Sequence, residues 1–237
     1  MSYLKEYGFV KERQQMLDIE ETDPHFEDGL AHYNAGRFEE AVCEWRALLD
    51  DDPQDADKHY TLGCGLDEAG HTDEAIQHYQ EAIRLDPNHS QAHYALIQRQ
   101  YSILYSSHDK AELRKLQDLC RHALTLQPLG PTFEAATLEI LSFTEWRIGK
   151  RTAAIKTLRR AIEIDPSSID GYRRLAMMQK ATFDLVGSFR TVQAYMQHPD
   201  FDPSLCVPCA MCKRRLAGIA LGAVGGVLLI WRLRRMR

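Results

Sequence analysis

A spacing of 34 residues recurs along this chain of 237 residues and constrains its fold more than any other feature. Residues 69–88 contain a turn glycine, Gly70, near their start and Pro87 near their end. Between them, small and apolar residues recur three and four apart. Gly36 and Pro53 stand 34 residues before Gly70 and Pro87. A duplicated unit with helical spacing and a proline stop predicts pairs of helices that bury their apolar faces on neighbouring pairs.

The duplication includes both helices of the unit, since Gly29 stands 34 residues before Gly63 and Trp45 stands 34 residues before Tyr79. The spacing of the second helix returns later in the chain at Gly149, Ala154, Leu158, Ala161 and Pro166. The best copy consists of Leu62, Gly63, Gly70, Ala75, Tyr79, Ala82 and Pro87. In period and in these residue types the chain resembles the tetratricopeptide repeat (TPR) family.

The resemblance implies an all-α TPR helix-turn-helix solenoid of about five repeats. The expected repeats cover residues 22–55, 56–89, 90–130, 131–168 and 169–198. Residues 1–21 are expected to form a helix that caps the open end, and repeat five, which lacks a turn glycine, is expected to be the C-terminal cap. Repeat three exceeds the period by seven residues, because Ala82 and Ala123 are 41 residues apart. The insertion is placed in the turn around residues 106–109.

In this family the first helix of each repeat lines a concave groove that binds a protein partner as a peptide or helix. The resemblance places these residues on the groove: Phe26, Tyr33, Tyr60, Tyr94, Tyr101, Phe143, Trp146 and Arg147. The polar residues expected around them are Asp57, Asp67, Gln98 and Glu139. The alternative is that the aromatic side chains pack between helices, as aromatic residues at helical spacing commonly do.

One subgroup of the family binds acidic C-terminal tails of chaperones through Lys, Asn and Arg on the first helices. The corresponding residues here are Phe26, Leu30, Thr61, Gln91 and Ala95, none of which pairs with a carboxylate. We therefore expect a different ligand. The sequence also contains no nucleophile elbow, phosphate loop or metalloprotease helix, so we expect neither an enzyme nor a cofactor.

The formal net charge of −5 conceals an uneven distribution of charge. Residues 213–237 contain seven basic and no acidic residues, which leaves 22 basic and 34 acidic residues in the preceding part. A nucleic-acid partner is not expected for such an acidic chain. The first two repeats are acidic, whereas the fourth and fifth are basic, which indicates either solvated faces or a partner with two zones of charge.

Residues 216–231 are sixteen residues without a charge, flanked by basic residues at 213–215 and 232–237. This pattern predicts a single C-terminal transmembrane helix, a tail anchor, joined to the repeats by a linker at residues 199–215. Its length of about 24 Å is short of the ~30 Å hydrocarbon core. The repeats would face the cytosol, at the mitochondrial outer membrane or peroxisome in a eukaryote and at the inner membrane in a bacterium. The alternative is a buried helix that ends the solenoid.

Two further features lie in or near this span. Gly218, Gly222 and Gly226 are spaced four apart and form a ridge through which two membrane helices can pack, which predicts a homodimer or indicates only the usual glycine content of such spans. Just before the span, Cys206, Cys209 and Cys212 are candidates for S-acylation, or for a zinc site with His198 as the fourth ligand, or have no chemistry.

These features together favour a membrane-anchored TPR adaptor or scaffold that recruits a protein partner through its groove. The alternative is an assembly factor or structural subunit of a membrane protein complex, which would use the glycine-rich span and the juxtamembrane cysteines. The two hypotheses differ in which part of the chain holds the partner.

Overall fold

A computed structural model describes residues 23–126 and 130–197. These residues form ten α-helices and no β-strand: α1 Pro24–Asn34, α2 Phe38–Asp51, α3 Ala56–Ala69, α4 Thr72–Leu85, α5 Ser90–Leu104, α6 Lys110–Ala123, α7 Pro131–Ile148, α8 Arg151–Ile164, α9 Ile169–Ala181 and α10 Leu185–Met196. Each helix packs on the next one along the chain. The described residues are thus an all-α stack of five helix pairs, as the repeat period predicts.

Side-chain caps and turn glycines set the ends of the helices. Asp55 accepts hydrogen bonds from the main-chain N of Asp57 and Lys58 at the start of α3, and Asp109 accepts the same pair of bonds at the start of α6. Gly70 and Gly149 end α3 and α7 with φ of +92° and +101°. Only glycine adopts this left-handed conformation without strain, which is why the repeat pattern contains glycine here.

The second helix of each of the first four pairs buries its fourth, eighth and eleventh residues. These are Ala41, Trp45 and Leu48 in α2, Ala75, Tyr79 and Ala82 in α4, Leu113, Gln117 and Cys120 in α6, and Ala154, Leu158 and Ala161 in α8. Of these three positions in α10, only the eleventh, Tyr195, is buried. Residues at this spacing share one helix face, which each second helix packs against the core. We call this buried face the seam.

The seam corrects the sequence alignment of repeat three. Cys120, not Ala123, occupies the place of Ala82, because both are the eleventh residue of their helix and both are fully buried. Cys120 and Ala123 are three residues apart and therefore lie on the same helix face. Sequence spacing alone could not distinguish them.

The seven extra residues of this repeat are consequently divided among three places. Helix α5 has 15 residues, one more than α3. The turn that follows α5, residues 105–109, is three residues longer than the turn at 70–71. The connection from α6 to α7, residues 124–130, is three residues longer than the connection at 86–89. The turn at 106–109 therefore contains only part of the insertion that the sequence analysis placed there.

Glycine also permits close contact within a helix pair. A Cβ atom on Gly63 would lie 2.7 Å from the ring of Tyr79, and one on Gly29 would lie 2.3 Å from the ring of Trp45. These are the two glycine and aromatic pairs that recur 34 residues apart. The first helix thus approaches the second across an aromatic ring that leaves no space for a side chain.

Among the described residues no helix is long and apolar enough to cross a membrane. The predicted anchor at 216–231 and the predicted cap at 1–21 lie outside the described residues. So do Gly218, Gly222 and Gly226, and also His198, Cys206, Cys209 and Cys212.

Candidate protein-binding surface

The first helices of pairs three, four and five, which are α5, α7 and α9, share one surface. Tyr94 of α5 and Phe133 of α7 make a T-shaped contact with ring centroids 4.8 Å apart. The guanidinium carbon of Arg174, in α9, lies 6.0 Å from the centroid of the Tyr101 ring in α5. Side chains from pairs three and five therefore meet beside pair four. A partner laid on this surface would contact three repeats at once.

Five side chains form the centre of this surface, and we call them the Tyr101 cluster: Tyr101, Tyr105, Phe143, Arg147 and Arg174. The Phe143 ring packs edge-on against Tyr101 at 5.0 Å and stacks on Tyr105 at 5.5 Å with an interplanar angle of 5°. Tyr101 and Tyr105 also make an edge contact at 5.7 Å. Offset and edge-on ring pairs are favourable because the positive ring edge meets the negative ring face.

Arg147 connects the long turn after α5 to α7. Its Nη1 donates to the main-chain carbonyl oxygen of Tyr105 at 3.1 Å, and its Nη2 donates to the carbonyl oxygen of Ser107. Its guanidinium carbon also lies 5.5 Å from the centroid of the Phe143 ring. A planar guanidinium can make both kinds of contact at once, which a lysine cannot. Arg147 thereby holds Tyr105 in position beside Phe143.

Glu139 of α7 connects the fourth pair to the fifth. It accepts a hydrogen bond from the Ser168 hydroxyl and lies 3.7 Å from Nη1 of Arg174. Burial raises the pKa of Glu139, against the opposing influence of the Ser168 hydrogen bond and the Arg174 charge. This carboxyl group orients Arg174 toward the Tyr101 ring. Because Glu139 is largely buried, its role is to position Arg174.

An equivalent link joins the second and third pairs. Arg99 of α5 lies 2.9 Å from Oδ2 of Asp67 in α3, whose side chain is only 5% exposed. Burial raises the pKa of Asp67 from 3.8 to about 6, although the Arg99 charge acts in the opposite direction. A buried carboxyl with a single arginine partner is sensitive to any change in that partner.

The structure separates the predicted groove residues into two groups. Tyr33 and Tyr60 are buried and pack against Trp45 and Tyr79 of the core. Phe26 and Trp146 are partly buried and pack against core clusters, and Tyr94 is buried against Phe133. The remaining three, Tyr101, Phe143 and Arg147, come together in the Tyr101 cluster, and Tyr101 also packs against a core cluster.

Two members of the cluster were missed by the sequence analysis as groove residues. Tyr105 is 55% exposed and follows Tyr101 by four residues, a spacing that places both on one helix face. That spacing was a usable signal. Arg174 gave no such signal, because only the stacking of the fifth pair brings it to α5.

The described residues contain no group of three metal-ligating side chains. Among the described cysteines, Cys64 and Cys120 are buried. Burial raises the pKa of Cys120 to about 12, so its thiol stays protonated at neutral pH. Its place in the seam of α6 makes it a core residue.

Two segments of the chain, residues 56–89 and 136–168, match family models described as tetratricopeptide repeat. They correspond to the second helix pair and most of the fourth. Together with the ten helices, these matches show that the described residues are an all-α TPR solenoid. The predicted repeat type is thereby confirmed.

Solved structures of other proteins have a similar fold. MamA from Desulfovibrio magneticus RS-1, residues 41 to the end, is 17% identical with a TM-score of 0.64, covering 75% of this chain and 96% of that one. YrrB, described as a TPR protein with an unusual peptide-binding site, is 12% identical with a TM-score of 0.63, covering 84% and 97%. Pseudomonas aeruginosa pilF is 16% identical with a TM-score of 0.60, covering 75% and 76%. No curated protein sequence matches the chain.

Proposed function

We propose that this chain is a membrane-anchored, non-enzymatic scaffold that recruits a protein partner through the surface of α5, α7 and α9. The observation that supports it most is the Tyr101 cluster, in which three aromatic rings and two guanidinium groups from three repeats meet at one place. Tyrosine and arginine dominate protein-binding hot spots because they combine large contact area with directed hydrogen-bond donors. The described peptide-binding site of YrrB, a protein of similar fold, is consistent with such a use.

The chemistry of the cluster indicates the kind of segment it binds. Tyr105 offers an exposed ring, and Arg174 is about one-third exposed beside it, with Glu139 as its only carboxylate contact at 3.7 Å among the described residues. A partner segment with an aliphatic or aromatic side chain would pack on Tyr105. A carboxylate one or two turns away would reach Arg174.

Site-specific photocrosslinking tests the partner-binding surface in the full chain. A benzophenone amino acid replaces Tyr105 in one version and Gln193, an exposed residue of α10, in a control version. We expect a discrete adduct from position 105 only, which Arg174→Gln weakens about tenfold or more, since charged hot-spot pairs contribute at least ~1.4 kcal/mol. Equal adducts from both positions, or an adduct insensitive to Arg174→Gln, would overturn the proposal.

Membrane anchorage is supported by residues 216–231 and is tested separately. The full chain and a version that ends at Cys212 are extracted from membranes at alkaline pH. We expect the full chain to stay with the membrane and the shorter version to be released. If both are released, residues 216–231 do not anchor the protein.

Replacement of residues 216–231 by an unrelated apolar span distinguishes an adaptor from a structural subunit. An adaptor keeps the adduct at position 105, because its partner binds the repeats. Loss of the adduct would show that the partner recognises the span itself.

A further inference from the structure

A second exposed surface lies at the turn between α9 and α10. We call it the turn patch: Phe183, Leu185, Val186 and Phe189, which are 88%, 65%, 64% and 44% exposed. Leu185 and Phe189 are four residues apart and therefore project from one face of α10. Four of the seven large apolar side chains that are exposed among the described residues thus lie within seven residues of sequence.

Pairs two and four show that the exposure of Phe183, Leu185 and Val186 is not the result of a missing neighbour. Counted from the helix starts, Phe183, Leu185 and Val186 correspond to Gly70, Thr72 and Asp73 in pair two and to Gly149, Arg151 and Thr152 in pair four. All six of those residues are at least partly exposed, although both pairs have a neighbour on each side. In pairs two and four these three positions carry glycine or polar residues and face solvent, whereas pair five places apolar residues at all three. Pair one has the partly buried Phe38 at the position of Leu185, and pair three has the exposed Ala111 at the position of Val186.

The backbone of Phe183 adds a second observation. Its φ of +61° makes it the one non-glycine residue with positive φ among the described residues, at the position where pairs one, two and four have glycine. A bulky residue in this conformation is strained. The chain therefore tolerates local strain in order to hold an aromatic ring almost fully in solvent, which is typical of a functional position.

The charge around the turn patch favours one kind of occupant. Residues 147–190 contain ten basic and four acidic residues, whereas residues 23–90 contain four basic and 17 acidic residues. Lys180 and Arg190 flank the patch and are exposed. The nearest acidic residue in sequence, Asp184, accepts a hydrogen bond from the N of Gly187 and lies 3.8 Å from Arg159. The patch is thus an apolar tip in a basic surrounding.

We propose that the turn patch docks on an anionic lipid surface. Apolar side chains at a protruding turn enter the headgroup region, and flanking lysine and arginine side chains bind acidic headgroups. The acidic first two pairs would then point away from the same surface. The C-terminal residues of this chain are a weaker occupant, because residues 213–237 contain seven basic and no acidic residues and would be repelled by the basic end.

This inference rests on the proposed function in one respect, because the proposed anchor is what brings the patch close to a bilayer. It does not depend on partner binding. Docking at the patch would fix the orientation of the solenoid relative to the membrane, which a single span and a linker do not. The surface of α5, α7 and α9 would then be held in one orientation toward the cytosol.

Hydrogen exchange of the purified full chain with vesicles tests the proposal. We compare vesicles of phosphatidylcholine alone with vesicles that contain about 30% phosphatidylserine, and follow the amides of residues 182–192. We expect their exchange to slow about tenfold with phosphatidylserine, less without it, and to recover in high salt. The variant Phe183→Gly, Leu185→Thr, Val186→Asp reproduces pair two, so its turn is expected to form, and it should lose this protection. Ile103→Ser, which removes an exposed apolar side chain outside both the patch and the Tyr101 cluster, should keep it.

Three results would overturn the proposal, and each identifies a different situation. Protection that is present without vesicles and disappears when the chain ends at Cys212 would show that the C-terminal residues cover the patch. Protection without vesicles that disappears on dilution would assign it to a second copy of the chain. Exchange that is identical under all conditions would show that the patch binds nothing. A failed anchor is recognised separately, because neither the parent nor the variant would then stay with the vesicles.

Discussion

Arg147 of α7 donates a hydrogen bond from Nη1 to the main-chain carbonyl oxygen of Tyr105 at 3.1 Å, across 42 residues of sequence. The contact connects the longest turn within a described helix pair to the next first helix. The longer turn of repeat three is thereby part of the candidate binding surface. Without it, Tyr105 would be held only by ring contacts.

Arg147→Met should loosen the turn at 105–109. The methionine side chain fills a similar volume but donates no hydrogen bond, so the carbonyl groups of Tyr105 and Ser107 lose their partner. We expect faster hydrogen exchange in this turn with little change in α2 to α4. Arg160→Met, an exposed residue of α8, is the control. Unchanged exchange at 105–109 would show that the ring contacts alone hold the turn.

Gly63→Ala should destabilise the second helix pair by about 1–3 kcal/mol, as overpacking of a close contact does. The added Cβ would lie 2.7 Å from the Tyr79 ring. In a Tyr79→Leu background the loss of stability should be smaller, since the ring that the added Cβ would contact is absent. Urea unfolding of the four proteins measures the coupling. Equal penalties in both backgrounds would contradict the geometry.

Asp67 should make stability fall as the pH rises from about 4 to about 6. Burial raises its pKa to about 6 in the folded chain, so the folded state binds the proton more tightly than the unfolded state. This contribution is complete below the unfolded pKa and is lost as the pH passes the folded one. Urea midpoints of the parent and of Asp67→Asn, compared at pH 4 and pH 6.5, isolate the effect. A constant difference between the two proteins would exclude it.

Phe183→Gly should stabilise the fifth pair by roughly 0.5–1 kcal/mol, because glycine relieves the strain of positive φ at some cost in chain entropy. Gly149→Ala, at the corresponding turn of the fourth pair, should act in the opposite direction, since its φ is +101°. Thermal unfolding of both variants provides the comparison. A loss of stability in Phe183→Gly would show that the exposed ring makes contacts that offset the strain.

The sequence contained enough information for the repeat type and the five helix pairs. A 34-residue period, turn glycines and small residues at helix crossings are local signals, and each pair contacts mainly its neighbours along the chain. The sequence did not locate the insertion in repeat three, because Cys120 and Ala123 lie on one helix face and satisfy the same periodicity.

What the sequence alone determined is therefore which residues form helices and which helix faces are apolar. What only the tertiary structure decided is which aromatic residues remain accessible. Tyr33 and Tyr60 have the same periodicity as Tyr101, yet they are fully buried against Trp45 and Tyr79 of their own pairs, whereas Tyr101 is partly buried. Arg174 reaches Tyr101 from a helix that begins 65 residues after the end of α5, because the stacking of whole pairs sets that distance. Burial depends on what packs on a face, and periodicity identifies the face but not its neighbour.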